Sequence, residues 1–354
     1  MEVGILQIFQ NYQGKKDDHE VVQDELHLAI RADELGYDKV WAVEHHFSDY
    51  AACPDNFTYL AMLAGSTSRV KLGTGAVILP WNDPLRVAEK ISFLDHLSNG
   101  RLVVGLGRGL SRIEYGHFGI DMGESRDRFD EAAHMVIDAL ETGVIEGEGP
   151  FYPQPRTEIR PRPRSGIRDR LYCVGMSPES VDQAAMLGGR LTTFTQSLWE
   201  LYKDGPLKQW QELYVKEHGG KPPPPLTGDL MYCHPDRAVA EERGLEVMTN
   251  YFLTIVKHYE IMSDHFKDTK GYDSYASASD AFKAVGLETA ARTYCSVNSW
   301  GDPERLIEQL RWRRELIGDF ELNLISNYGG MSRDEAEASL ELFAREVLPE
   351  VQSW

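Results

Sequence analysis

A (β/α)8 TIM barrel, a fold of the α/β class, is predicted by three features of the sequence. Short apolar runs rich in β-branched residues alternate with longer amphipathic runs along most of the chain. Eight such β-runs can be counted, each with a helical partner, which fits a closed barrel better than a doubly wound sheet. The length of 354 residues and an apolar share of 42% are ordinary for a globular protein with a substantial core.

The amino-terminal half supplies four βα units. The run VGILQIF at 3–9 predicts a buried strand, and residues 21–36 place apolar side chains along one helical face before Gly36 ends the helix. Three further strand candidates follow, each with a helical partner: 39–47 with 56–68, 70–80 with 84–98, and 101–109 with 125–142.

The carboxyl-terminal half supplies four more strand candidates, at 171–177, 191–197, 226–233 and 320–326. Two segments interrupt the alternation. Residues 147–169 are rich in proline and arginine, cannot form a continuous helix, and predict an extended excursion before the fifth strand. Residues 263–294 are polar and suit an active-site lid between strands seven and eight, although a plain surface insertion fits them equally. We expect residues 1–354 to form one domain.

Charge and composition exclude several functional classes. The chain has 37 basic and 56 acidic residues, and its formal charge of -19 opposes attraction to nucleic acid or to anionic lipid. No apolar run approaches the length of about 18 to 20 residues that spans a bilayer. The four cysteines are widely spaced and form no CxxC pair. We therefore expect a cytoplasmic protein with no nucleic-acid or membrane partner.

The stretch WAVEHHF, 41–47, closes the second predicted strand, and barrel chemistry lies at the carboxyl ends of the strands. Alternation along a strand predicts that His45 and His46 point to opposite faces. If His45 faces the barrel mouth, it can act as a general acid or base, with His46 or Glu44 as its partner. A structural pair of histidines is the competing interpretation. A metal site is a poor interpretation, because no further cluster of ligand residues is evident in the sequence.

Two other strand ends suit an anion and a flat ligand. The segment GLGRGLSR, 105–112, lacks the spacing of a dinucleotide fingerprint, but its glycines let the backbone approach a flat ligand beside Arg108. In GMSPES, 175–180, Ser177 can cap a helix, and its hydroxyl, that of Ser180 and the free N–H groups would bind a phosphate. A plain helix cap explains the second motif equally well.

Five segments in chain order carry a resemblance to a known family: VWAVEHHFSD, GTGAVILPWNDPLRVAE, LDHLSNGRLVVGLGRG, HFGIDMGESRDRF and GDPERLIEQL. Together they resemble bacterial luciferase and its flavin-dependent monooxygenase relatives. The resemblance implies a barrel that takes reduced FMN from a separate flavin reductase. It also implies reaction of that FMN with O2, through a C4a-hydroperoxide, to oxygenate a small apolar or aromatic organic substrate.

The resemblance also assigns roles to individual residues. His45 matches the family's catalytic histidine by motif position, and Arg108, Ser177 and Ser180 match positions that hold the flavin phosphate. Residues 268–275, DTKGYDSY, resemble the start of the mobile lid of the luciferase catalytic subunit, which its noncatalytic partner subunit lacks.

The ring of the flavin has its own predicted contacts. Gly75 and Ala76 match the backbone bulge beneath the isoalloxazine. Gly107 stands where luciferase has a cysteine near the flavin, and Met176, within the predicted phosphate turn, stands where it has a glutamate. Both departures are compatible with flavin binding, but they argue against a luciferase-like lifetime of the peroxide, a long-chain aldehyde substrate and hence light emission. They favour an oxygenase of secondary metabolism.

Two alternatives share the resemblance. An oxidoreductase that transfers hydride with the deazaflavin F420 would use the same barrel, and a noncatalytic flavin-binding subunit would lack the lid and His45. Family members pair through the helices that follow strands two and three, so the apolar segment 57–67 predicts a homodimer, although a helix buried within the domain would look the same.

Overall fold

The computed structural model describes residues 1–354 and confirms the predicted (β/α)8 barrel. The eight barrel strands are β1 Val3–Gln7, β2 Lys39–Ala42, β3 Lys71–Thr74, β4 Leu102–Gly107, β5 Leu171–Val174, β6 Arg190–Phe194, β7 Leu226–Cys233 and β8 Glu321–Ile325. Each strand pairs in parallel with the next, and β8 pairs with β1, so the sheet closes. Short strands at Val77–Ile78 and Ser299–Gly301 pair in parallel with the carboxyl-terminal parts of β4 and β7.

Helices surround the strands. They are α1 Asp18–Leu35, α2 Asn56–Ser66, α3 Pro84–Leu97, α4 Arg112–His117, α5 Ser125–Thr142, α6 Pro178–Met186, α7 Trp199–Tyr202, α8 Lys208–His218, α9 Arg237–His258, α10 Asp273–Val285, α11 Leu287–Val297, α12 Pro303–Ile317, α13 Arg333–Glu346 and α14 Leu348–Gln352. The first three begin at aspartate caps, Asp17, Asp55 and Asp83, whose side chains accept backbone N–H groups of the first turn. These local signals set the helix starts.

The second strand is shorter than predicted. It ends at Ala42 rather than at residue 47. The N–H of Val43 still donates to Gln7 of β1 at 3.3 Å, but the chain then leaves the sheet, and the N–H of His45 donates to the carbonyl of Cys53 at 3.0 Å and not to a neighbouring strand. The prediction that strand alternation orients His45 and His46 is therefore wrong, and a loop positions both side chains.

The two predicted interruptions have defined structures. Strand Val144–Gly147 and strand Gln154–Glu158 form an antiparallel hairpin at the start of the 147–169 excursion, which then runs to a 3-10 turn at Arg168–Arg170. Residues 263–294 contain a 3-10 turn at His265–Asp268, all of α10 and most of α11. The second segment is thus mainly helical, and it lies between β7 and β8.

A buried polar cluster closes the barrel at the amino-terminal ends of its strands. Lys39, the first residue of β2, donates to the Tyr172 hydroxyl at 2.8 Å and forms an ion pair with Glu321, the first residue of β8. Arg190, which begins β6, also pairs with Glu321. These side chains fill the amino-terminal end, and in (β/α)8 barrels the active site lies at the opposite, carboxyl-terminal end. None of the helices combines the length and apolar character needed to cross a lipid bilayer.

Candidate active site

His45 is held by a carboxylate that comes from a different part of the chain. Its Nδ1 lies 3.0 Å from Oε1 of Glu114 on α4, and the N–H of His46 donates to the same oxygen at 2.7 Å. Burial by itself would raise the pKa of Glu114, but His45 and the His46 N–H outweigh it and hold that pKa below its usual range. Glu114 is therefore an ionised acceptor, and Nδ1 of His45 must carry a proton.

The residues predicted to assist His45 have another task. Glu44 is buried and accepts from the Trp81 indole at 2.7 Å and from the Asn82 amide at 2.8 Å. His46 Nε2 lies 3.5 Å from the same carboxylate. Both side chains therefore brace the loop, and the prediction that one of them is the partner of His45 is wrong. The partner, Glu114, is 69 residues away in sequence, and only its place just beyond the fourth strand end could have suggested it.

Two residues at the end of α9 complete the surroundings of His45. The Tyr259 hydroxyl lies 3.4 Å from His45 Nε2. The His258 ring lies 5.3 Å from the His45 ring and nearly perpendicular to it, and it stacks on Tyr50 at 4.3 Å. Burial, followed by the charge of His45, lowers the pKa of His258 to about 3, so that this ring is neutral at physiological pH. The sequence analysis identified neither residue of this pair.

Three potential metal ligands meet at this point. One ligand atom from each of His45, Glu114 and His258 lies within 4.8 Å of the others, a grouping that sequence spacing did not reveal. The Glu114 oxygen nearest His45 already accepts two N–H groups. We therefore describe the group as a hydrogen-bonded cluster whose centre is His45.

A second cluster, which we call the anion cradle, consists of Arg108, Arg126, Ser177 and Ser180. Arg108 follows β4 and donates to Ser125 Oγ at 3.3 Å. Ser177 caps α6 and accepts the Ser180 N–H at 3.3 Å, and the two serine hydroxyls lie 2.9 Å apart. Three predicted phosphate-binding residues are thus on the carboxyl-terminal side of the barrel. Their roles remain predictions.

Arg126 belongs to the anion cradle, although sequence analysis did not select it. Its guanidinium lies 3.5 Å from Ser180 Oγ. Burial, and then the neighbouring charge of Arg108, lower the pKa of Arg126 in spite of Asp130 and of Glu179, whose carboxylate lies 3.8 Å away, so further negative charge would stabilise this cation. A phosphate would supply that charge, and the free N–H groups at the start of α6 would bind it as well. The residues present therefore fit a phosphate monoester.

Met176 has a different position from the other predicted cofactor contacts. Its sulfur accepts the N–H of Phe194 at 3.3 Å, so the side chain is turned towards β6. Only its backbone adjoins the serine that caps α6.

A narrow cavity lies inside the barrel between the strands, with about 10 Å³ of space, roughly the room of one water molecule. The residues around it are Leu6, Trp41, Thr74, Gly75, Ala76, Gly105, Val174, Thr192, Phe194, Leu226, Gly228 and Asn323. The predicted Gly75 and Ala76 are thus both on its wall. Glycine is required at 105, because a Cβ there would come within 2.2 Å of the Thr74 carbonyl oxygen.

Three polar atoms on this wall have no hydrogen-bond partner: Trp41 Nε1, Thr192 Oγ1 and Asn323 Oδ1. Buried polar groups are normally paired, so these atoms are available to bind a water molecule or a polar ligand edge. The N–H and C=O groups at the rim of a flat heteroaromatic ring are of the type that would pair with them. Gly105 and Val174 on the cavity wall lie three residues before Arg108 and Ser177, so the same two strands lead from the cavity to the anion cradle.

The aromatic side chains near the strand ends have different surroundings. Trp41 and Phe194 line the cavity. Phe9 packs against Tyr59 in the core. Phe47 is 56% exposed at the rim, where its ring stacks on His117 at 4.7 Å.

Known proteins resemble this chain in sequence and in fold. The alkanal monooxygenase alpha chain of Photobacterium leiognathi is 27% identical over 357 residues, which is 97% of each chain. The crystal structure of monooxygenase RslO1 from Streptomyces bottropensis has a TM-score of 0.77 at 28% identity, and the match covers 99% of this chain and 100% of that one.

Two solved structures at 18% identity show the same fold. One is the oxygenating constituent of 3,6-diketocamphane monooxygenase from Pseudomonas putida in complex with FMN, with a TM-score of 0.74 over 99% of this chain and 98% of that one. The other is an F420-dependent secondary alcohol dehydrogenase, with a TM-score of 0.70 over 98% of each chain. The family model described as luciferase-like monooxygenase matches residues 1–319. The chain therefore belongs to the luciferase-like monooxygenase family.

Proposed function

We propose that this protein is a flavin-dependent monooxygenase that uses reduced FMN and O2 to oxygenate a small apolar or aromatic organic substrate. The observation that carries the proposal is the meeting of three features at one end of the barrel. These are the anion cradle, the cavity with unpaired polar atoms on its wall, and His45 with its carboxylate partner. The similarity to alkanal monooxygenase and to monooxygenase RslO1 supports the oxygenase class.

The cofactor would be held at two points. Arg108, Arg126, Ser177 and Ser180 would bind its phosphate, and the wall at Gly75 and Ala76 would contact its ring. When bound, reduced FMN supplies the two electrons with which O2 is activated.

His45 would move the protons that this chemistry requires. Because Nδ1 donates to Glu114, the neutral imidazole presents its lone pair at Nε2. Nε2 is therefore the atom that accepts a proton from the reacting groups and returns it. The helical segment 263–294 would act as a lid that excludes water from the same end of the barrel.

A second candidate function is F420-dependent hydride transfer without oxygen. The observation in its favour is that an F420-dependent secondary alcohol dehydrogenase has the same barrel over 98% of this chain. FMN and F420 both carry a phosphate and a tricyclic ring. The anion cradle and the cavity suit either cofactor, so the choice requires an experiment.

The deciding experiment loads the anaerobic protein in parallel with reduced FMN and reduced F420 and then mixes each with oxygenated buffer. We expect the protein to bind FMN and to change its rate of reoxidation relative to free reduced FMN, as followed by absorbance. A screen of candidate substrates under 18O2 should then yield a product that contains one labelled oxygen atom. Reoxidation as in free solution, together with tight F420 binding and hydride transfer without O2, would establish the second candidate instead.

The proposal includes two protein partners. A separate reductase would supply the reduced FMN, as the resemblance to bacterial luciferase implies. A homodimer would form through α2 and α3. Phe57, Leu60 and Leu63 of the predicted face are buried within the barrel, but Met62 on α2 and Phe93 on α3 are 55% and 57% exposed.

A further inference from the structure

Tyr259 occupies an unusual place in the fold. It directly follows α9, whose last residue is His258, and it lies four residues before the predicted lid segment 263–294. Its hydroxyl is 3.4 Å from Nε2 of His45, the nitrogen opposite to the one that Glu114 binds. The two ring nitrogens of His45 are therefore contacted by two different helical elements.

We propose that Tyr259 is a positioning residue that holds the reactive nitrogen of His45 and makes its availability depend on the base of the lid. This inference rests on the proposed function of His45 and goes beyond it, because it states which group controls that function.

The direction of the hydrogen bond follows from the opposite side of the ring. Ionised Glu114 can only accept, so Nδ1 of His45 donates, and Nε2 of the neutral ring must accept. The Tyr259 hydroxyl therefore donates to Nε2. Burial, and then the charge of Glu114, raise the pKa of Tyr259 well above its ordinary value, so its hydroxyl stays protonated. The lone pair of His45 is thus occupied until Tyr259 turns away.

A second contact ties the same two elements together. Arg112, two residues before Glu114 on α4, forms a bidentate ion pair with Glu260 at 2.9 and 2.6 Å. Glu260 is the neighbour of Tyr259 and has a positive φ of 50°, a backbone conformation that few residues adopt. The pair therefore sets how closely the end of α9 approaches α4, with His45 between them.

The titratable groups that face the His45 ring come from three elements. Glu114 belongs to α4, His258 and Tyr259 belong to the end of α9, and Tyr50 belongs to the loop that carries His45 itself. His258 is neutral and Tyr50 is a protonated phenol whose pKa burial raises. Only Glu114 and Tyr259 make hydrogen bonds to the ring, so only these two set its proton-binding state directly.

The test follows the His45 ring in the protein without cofactor. Protein labelled with 15N-histidine is titrated by NMR, and the His45 signals are assigned through their loss in His45→Asn. We expect the wild type to show the Nδ1-protonated form when neutral. Tyr259→Phe should move the His45 titration midpoint to higher pH, because it removes a donor that favours the neutral ring. Tyr214→Phe on α8, distant from the site, is the matched control and should leave the midpoint unchanged.

A functional readout accompanies the NMR measurement. The rate at which O2 reoxidises FMN bound to the enzyme is measured against pH, and in Tyr259→Phe its acid limb should move in the same direction as the NMR midpoint. An unchanged His45 titration and tautomer in Tyr259→Phe would overturn the inference. That result is independent of the proposed function, which fails instead if His45→Asn matches the wild type in product formation.

Discussion

Oε1 of Glu114 lies 3.0 Å from Nδ1 of His45, although 69 residues separate the two in the chain. This contact makes His45 a base with a defined orientation rather than one of two adjacent polar residues in a loop. It also gives Glu114 a measurable influence on stability and on catalysis.

Glu114→Gln should reduce turnover about a hundredfold, because a neutral amide holds the Nδ1–H of His45 less firmly and no longer stabilises the charged ring. The folded-state pKa of Glu114 is lowered, so its contribution to stability is present above its unfolded pKa and is lost as pH falls through the folded value. The difference in unfolding free energy from the wild type should therefore be present at pH 7 and shrink as the pH falls below the ordinary glutamate pKa of 4.5. A constant difference across this range would contradict the role of an ionised Glu114.

His45→Ala should bind FMN as the wild type does but lose product formation by a factor of about 10² to 10⁴, the usual contribution of a general acid or base. Fluorescence quenching of FMN measures the first quantity, and turnover of the substrate identified under 18O2 measures the second. His134→Ala, an exposed change on α5, serves as the control. Wild-type turnover in His45→Ala would refute the catalytic role.

Arg126→Met should weaken FMN binding about 10- to 100-fold, because a hydrogen bond between charged groups is lost from the phosphate. Riboflavin carries the same ring without the phosphate, so its affinity should be unchanged in the variant. Parallel fluorescence titrations with the two ligands give this comparison. Equal weakening of both would show that Arg126 supports the ring or the fold and does not bind the phosphate.

Glu25→Gln should remove a pH dependence of stability. Burial raises the pKa of Glu25 to about 8, in spite of hydrogen bonds from the Phe9 N–H and Asn327. The contribution of the protonated carboxyl is fully present below its unfolded pKa near 4.5 and is lost as pH rises towards 8. The melting temperature of the wild type should fall over this range relative to that of Glu25→Gln. If the melting temperatures of the wild type and of Glu25→Gln changed in parallel with pH, Glu25 would already be ionised over this range.

Phe93→Asp tests the proposed homodimer. Phe93 and Leu97 lie one turn apart on α3 and are 57% and 48% exposed, so they can form part of a self-complementary apolar surface. Light scattering after gel filtration should give the mass of a dimer for the wild type and about 40 kDa for the variant. Leu253→Asp, an exposed apolar position on α9, is the control. A monomeric wild-type protein would contradict the proposed dimer through this face.

Much of the architecture could be predicted from the sequence alone. The bounds of the strand 226–233 and of the helix 125–142 agree with the prediction. Both depend on local signals, which are the hydrophobic period of each segment and, for the helix, the glycine that ends it. The sequence also predicted that His45, Arg108 and Ser177 lie at one end of the barrel, because parallel strands bring their carboxyl ends to the same side. The end of the second strand was placed wrongly, because pairing beyond Ala42 depends on neighbours and not on the apolar character of the run.

The sequence by itself therefore determined the barrel, the functional end of the barrel and the family. The tertiary structure alone decided which side chains meet there: Glu114 with His45, Tyr259 with the other nitrogen of the same ring, and Arg126 with Ser180. The physical reason is that the hydrophobic period of a segment reflects only the secondary structure of that segment. Contacts across loops depend on how far each loop extends and on which charges remain unpaired when the helices pack.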